Sequence, residues 1–400
     1  MELLKRNKAL TGVLAVLVVV GVGCYIAQLV GGLAMTGMNN GTSWGLYITC
    51  FMFFVGLSAG GLIVASSASI FHIKKFKQVA MPAVILSTVC ICIAGMFVLI
   101  DLGGLYRVWR ILTGPNPTSP LIWDICVITC YLVINIFYLY FMRKGNDHAV
   151  SIVSRFALPV AILVHSVTAW IFGLENAKEG WYTAILAPIF VASALDSGLA
   201  LLLLALTGLR RKGIFEVSQD LIASLAGLLA TCVAVDAFFI GCELLTTAYP
   251  GTEAGTLILS ELTVGPTALF FWIEILCGLV LPFCILVFAK NRQNSILVCV
   301  ASGLIVLGVF FKRIWLLFTS FITPDVYGAP GLISGSSVAE HAQGVSSFAV
   351  ISSYAPTAIE IFVVLGVLSL GFLAFMALTD WLIGTGKSAM ATEQSAPATA

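Results

Sequence analysis

Long apolar stretches alternate along this chain with short polar connections. Ten such stretches can be read, near 10–34, 45–72, 79–101, 120–142, 151–173, 182–209, 219–245, 263–289, 294–318 and 356–384. Each has about the 20 residues that a helix needs to cross a bilayer. Gly-rich apolar runs of this length predict helices rather than barrel strands, because a backbone in lipid must satisfy its own hydrogen bonds. Composition agrees with the pattern. Of 400 residues, 60% are hydrophobic and 10% charged, with a mean hydropathy of +1.06, whereas soluble domains carry about 25% charged residues. The expected fold class is an all-α polytopic membrane protein of about ten transmembrane helices. No stretch resembles a nucleic-acid patch, so the lipid membrane is the expected surrounding. The first apolar run is too long for a cleavable signal.

The basic residues set an expected orientation. Lys5, Arg6 and Lys8 precede the first run. Alternate connections then carry Lys74, Lys75, Lys77, Arg143, Lys144, Arg210, Arg211, Lys212, Lys290 and Arg292. The intervening connections hold chiefly Arg107, Arg110 and Lys178. Both termini are therefore expected to be cytoplasmic. The connection from Asp101 to Asp124 falls on the outer face. So does the Gly-, Ser- and Pro-rich segment from about Thr319 to Ala355, with Tyr327, Glu340 and His341. Function, partner docking and a loose loop all remain open for that segment. The tail from Ser388 to Ala400 is small and polar and is expected to be disordered.

An internal repeat can be read in the second and sixth runs. Trp44, Phe53 and Gly61 recur at the same spacings as Trp181, Phe190 and Gly198. Both runs head from outside to inside, which implies two parallel four-helix bundles plus flanking helices; chance likeness between apolar helices is the alternative. Pro120 with Trp123 and Pro266 with Trp272 extend the match weakly.

Charge inside spans is where chemistry is expected, since each ionisable group there costs roughly 2.5–3.5 kcal/mol on insertion scales. The candidates are Asp101, Asp124, Asp196, Asp236, Glu243, Glu274, Glu360, His165, Lys312 and Arg313. Glu243, Glu360, Lys312 and Arg313 lie near helix ends, where they can snorkel, and read as groups with an interfacial or interhelical hydrogen bond, while Asp101 and Asp196 are harder to explain that way. Acids, one histidine and arginines near one face suit a place where protons meet a neutral apolar molecule such as a quinone. His72, His148, His165 and His341 are the only histidines, and a membrane haem takes two within helices, which argues against a di-haem cytochrome. All eleven cysteines lie in apolar runs without a Cys-x-x-Cys pair, so neither an iron–sulfur cluster, a zinc site nor another metal centre is expected.

These residues carry a family resemblance. Trp44-Gly-Leu-Tyr47 runs into Gly56-Leu-Ser-Ala-Gly-Gly61; Asp101-Leu-Gly103, Trp109-Arg110, Ser119-Pro120 and Trp123 follow; Trp181, Pro188, Gly198, Gly265-Pro266, Trp272, Gly278, Pro282, Gly308 and Arg313 complete the series. Over roughly 40–380 the chain resembles the NrfD/PsrC-like membrane subunits of polysulfide, nitrite and dimethyl sulfoxide reductase complexes, in their ten-helix branch. The resemblance implies a subunit without haem or iron–sulfur cluster of its own, which takes quinone or menaquinol as substrate. It also implies docking to a ferredoxin-like iron–sulfur subunit and, through it, a molybdopterin catalytic subunit on the extracytoplasmic face. It places the quinone pocket in the first bundle, with Trp44, Tyr47, Tyr106, Arg107 and Arg110 as binding residues. Asp101 and Asp196 would handle protons, one in each bundle. Some members use a histidine near the first core helix; none lies between Met38 and Thr49, and Tyr47 or His165 stand as alternatives.

The expected organisation is a first helix (1–40), a quinone-site bundle (41–175), a second bundle (176–318), an extracytoplasmic loop (319–355), a last helix (356–385) and a cytoplasmic tail (386–400). The expected function is quinol oxidation with proton release in an anaerobic respiratory oxidoreductase complex. The alternative is a proton or solute transporter without a redox role, in which the same acids form a relay.

Overall fold

A computed structural model of the chain describes residues 3–4, 7–39, 41–70, 74–178, 180–322 and 354–383. Tyr327, Glu340, His341, most of the expected 319–355 loop and the 386–400 tail lie outside the described residues. Among the described residues ten helices are long and apolar enough to cross a membrane, and no strand occurs. They are α1 (Lys8–Gly31), α2 (Leu46–Ile70), α3 (Ala80–Asp101), α4 (Pro120–Arg143), α5 (Asp147–Gly173), α6 (Leu186–Arg211), α7 (Gln219–Ala248), α9 (Ala268–Leu286), α10 (Ser295–Ile322) and α11 (Ala358–Leu382). Between α7 and α9 lies α8 (Glu253–Thr263), too short to cross.

Helix starts follow local chemistry. Pro120 opens α4, where its missing N–H is no loss. The side chains of Asn146, Ser218 and Thr252 accept backbone N–H groups at the starts of α5, α7 and α8. Thr357 and Glu360 form a capping box on α11. Within α9, residues Ile273–Val280 take a π-helical course. This rare geometry is frequent at functional sites.

Helices α2, α3, α4 and α5 pack on one another, as do α6, α7, α9 and α10; α2 against α6 joins the two sets, and α1 pairs with α11 at the side of α3. The α2–α6 crossing depends on glycine. A Cβ added at Gly60 would stand 2.5 Å from the Cα of Gly198, so only hydrogen fits there. The spacing match pairs Gly61 with Gly198, but in space the partner is Gly60. Gly61 instead abuts the Ala83 carbonyl of α3, because one residue turns the helix face by about 100°.

Candidate functional site

The connection between α3 and α4 shapes a cavity of about 470 Å³. Helix α3 ends at Asp101, and Gly103 turns the chain through φ +62°, a left-handed value that favours glycine. Two short turns, Leu105–Arg107 and Arg110–Thr113, lead back to Pro120. Trp123 Nε1 donates to the Pro117 carbonyl at 2.7 Å and ties the returning chain to α4.

Trp44, Phe172 and Ile48 supply an apolar wall, and Asp101, Arg110 and Asp124 are the charged groups that line the space. Trp44 stacks on Trp181 at 6.1 Å and meets Phe172 edge-on at 5.6 Å, which holds its indole in place. Asp124 is buried and accepts the Thr168 hydroxyl at 2.6 Å. Asp101 has one carboxyl oxygen buried without a hydrogen-bond partner. Arg110 is exposed, its guanidinium 5.9 Å from the Trp109 ring centre. An apolar slot with two carboxyls and a cation suits a flat apolar molecule with polar ends.

The other expected site residues lie elsewhere. Tyr47 is fully buried and donates to Gln28 Oε1 at 2.6 Å, with Gln28 Nε2 on the Ile100 carbonyl at 3.4 Å. It therefore braces α1 against α2 and α3 rather than lining the cavity. Tyr106 and Arg107 are exposed, the guanidinium 5.0 Å above the phenol ring, and neither lines the space. His165 is sealed between α5 and α2, Nδ1 at 2.7 Å from the Ala161 carbonyl and Nε2 at 3.0 Å from that of Val55. Asp196, on α6, is fully buried, and neither of its carboxyl oxygens has a hydrogen-bond partner.

In a second group of charged residues, on α7, α9 and α10, Lys312 and Arg313 make interhelical hydrogen bonds rather than lying at a helix end where they could snorkel. Lys312 and Arg313 have no solvent exposure and sit inside α10. As neighbours in a helix they point to different sides. Lys312 Nζ lies 2.9 Å from both oxygens of Asp236 and 3.4 Å from Glu274 Oε1. Arg313 donates to Ser193 Oγ at 2.7 Å and lies 4.0 Å over the Phe190 ring. Trp315 Nε1 donates to the other Glu274 oxygen. Stripping such ions of water costs several kcal/mol each, which pairing offsets only with good geometry. The signal present in the sequence is the run Lys312-Arg313 inside an apolar stretch, with Asp236 and Glu274 inside the two preceding spans.

Glu360 and Glu243 have structural partners. Glu360 accepts the Gly37 N–H at 2.8 Å and the Tyr354 hydroxyl at 2.6 Å, and Glu243 accepts the Thr183 hydroxyl at 3.0 Å. Burial, reinforced by the Glu360 carboxylate, pushes the Tyr354 phenol above its ordinary range. Among the described residues no group of three or more His, Cys, Asp and Glu side chains is arranged to hold a metal ion.

The profile of the family described as "Polysulphide reductase, NrfD" matches residues 34–325, most of the chain. A Halobacterium salinarum protein, provisionally named as a membrane subunit of a dimethyl sulfoxide reductase, is 34% identical over 92% of this chain and 89% of its own length. The Hdr-like menaquinol oxidoreductase integral membrane subunit of Archaeoglobus fulgidus is 28% identical over 90% of this chain and 89% of its own. A selenate reductase subunit of Mesobacillus selenatarsenatis is 25% identical, over 81% and 84%.

Proposed function

Because this chain belongs to the polysulphide reductase NrfD family, we propose that it is the quinone-reactive membrane subunit of an oxidoreductase complex. The cavity that joins Trp44, Asp101, Arg110 and Asp124 is the observation that carries this reading. The name of the Archaeoglobus fulgidus relative, which mentions menaquinol, supports it. The ring of a quinol lies against Trp44 and Phe172, with one hydroxyl toward Asp101 and the other end toward Arg110. Oxidation to quinone releases two electrons and two protons. Asp101 takes a proton as general base and passes it to the open mouth of the cavity, with Asp124 as the second carboxyl within reach. The electrons leave to a ferredoxin-like iron–sulfur partner, docked where Tyr106, Arg107 and Arg110 are exposed, and onward to a molybdopterin subunit.

The same reading puts the connection end on the extracytoplasmic side and both termini in the cytoplasm. It treats residues 41–175 and 176–318 as two bundles related by the repeat. Asp101→Asn is the decisive variant: it abolishes quinol-dependent electron transfer while the complex still assembles. Turnover at the wild-type rate in that variant removes Asp101 from the mechanism.

A further inference from the structure

The α1–α11 pair leans on α3 and makes no comparable contact with α6. A crevice of about 510 Å³ separates the pair from α6. One wall is the stripe Leu201, Ala205, Gly208 and Lys212, which recurs at helical spacing and so lies on one face of α6. Phe372 and Met376 of α11 stand opposite, and Ile93 of α3 lines the inner end. No protein atom lies within 4 Å of a Cβ added at Gly208, so the space reaches the α6 backbone. Leu10 and Phe372 line the crevice and are exposed, which leaves it open sideways to the bilayer.

From Lys212 to Leu201 the stripe runs about 16 Å along the helix. One leaflet of the hydrocarbon core is about 15 Å deep. The crevice therefore begins where α6 ends and stops near the bilayer midplane. Polarity follows the same axis. Asn7 and Lys212, at helix ends, are the polar side chains among its lining residues; the others are apolar.

Lys212 Nζ donates to Asn7 Oδ1 at 3.0 Å, across the mouth. Arg211 and Lys8 are exposed at the same helix ends. Asp380 of α11 accepts the Leu3 amide with both oxygens and does not line the space. Positive charge thus stands over an apolar slot one leaflet deep. Basic pockets between membrane helices bind anionic lipid head groups in this way. A further membrane-spanning helix fits less well, because the Lys212–Asn7 bridge bars its path at the mouth.

We propose that the crevice is a binding site for one anionic phospholipid of the adjoining leaflet. Its hydrocarbon chains lie between α6 and α11, and its phosphate meets Lys212 and Arg211. The lipid supplies the contact between the α1–α11 pair and α6 that the chain itself lacks. No bond forms or breaks, and the site is independent of the quinol cavity at the opposite helix ends.

Photolabelling of the purified complex in phosphatidylcholine nanodiscs tests this. The probes are phosphatidylglycerol and phosphatidylcholine, each with a diazirine at the end of one chain. In the wild type, labelled peptides are expected from α3 around Ile93 and from α6 around Leu201. The phosphatidylglycerol probe should label them about tenfold more, as two basic side chains near the phosphate imply. Gly208→Trp fills the crevice and should abolish the label from both probes. Lys212→Gln should keep the label and remove most of the preference. Equal labelling of the wild type by the two probes, or no label there at all because a partner subunit's helix occupies the crevice, overturns the proposal. So does full labelling of Gly208→Trp, or an unchanged preference in Lys212→Gln. If Gly208→Trp does not assemble, the preference and its loss in Lys212→Gln decide alone.

Discussion

Asp101 closes α3 with a carboxyl oxygen that is buried and unbonded, a feature that sequence can only hint at through an acid at the end of an apolar run. The residues expected beside it divide according to how far local chain geometry can be read. Trp44, Asp101 and Arg110 are legible because each stands at a helix end or in the connection, where side chains converge on one end of the molecule. Tyr47 is not, because α2 begins at Leu46 and its first turn carries the phenol toward Gln28. Lys312 and Arg313 escape sequence reasoning because distance from a helix end is a poor guide to exposure when the partners lie on other helices. Arg110 offers a clean test, being exposed and unpaired with either acid. Arg110→Gln should lower quinol-dependent turnover about tenfold, equivalent to about 1.4 kcal/mol in the barrier, while the thermal midpoint of the complex stays unchanged. A parallel fall in both quantities would mean that Arg110 acts on stability instead.

At the level of elements, hydropathy locates all ten spans, with ends displaced by a few residues where polar turns border apolar runs. Two features escape it. Helix α8 carries Glu253 and Glu261 and is too short for a span. The π-helical course of α9 leaves no mark in residue type, since it changes only the pitch that carries Glu274. The α2–α6 crossing makes a quantitative prediction. Gly198→Val forces a branched side chain against the Gly60 backbone and should destabilise the protein by about 1–3 kcal/mol or more, seen as a lower thermal midpoint in detergent. Gly12→Val in α1, where no atom lies within 4 Å of an added Cβ, should leave the midpoint in place. Equal effects from both substitutions would remove the crossing as a cause.

Over the whole molecule, fold class follows from composition alone, because few chains outside membranes tolerate so little charge. The arrangement of helices does not follow from it, since helix contacts in lipid rest on small residues and a few polar bonds that an apolar sequence barely marks. Orientation is the part of the reading that charge bias carries by itself. Fluorescent-protein fusions at either terminus should glow, and alkaline phosphatase fused after Gly114 should be active; the reverse pattern would invert the subunit and every assignment of face that depends on it. The pairing of α1 with α11 bears on how the chain is made. Gly21 packs against Gly366, and the Leu3 amide donates to Asp380 at 3.0 and 2.9 Å. Helix α1 is thus closed by α11, through a contact that spans 377 residues of chain. At about 5–20 residues per second, α1 waits on the order of 20–70 s for its partner, so this pair cannot close until α11 has been made.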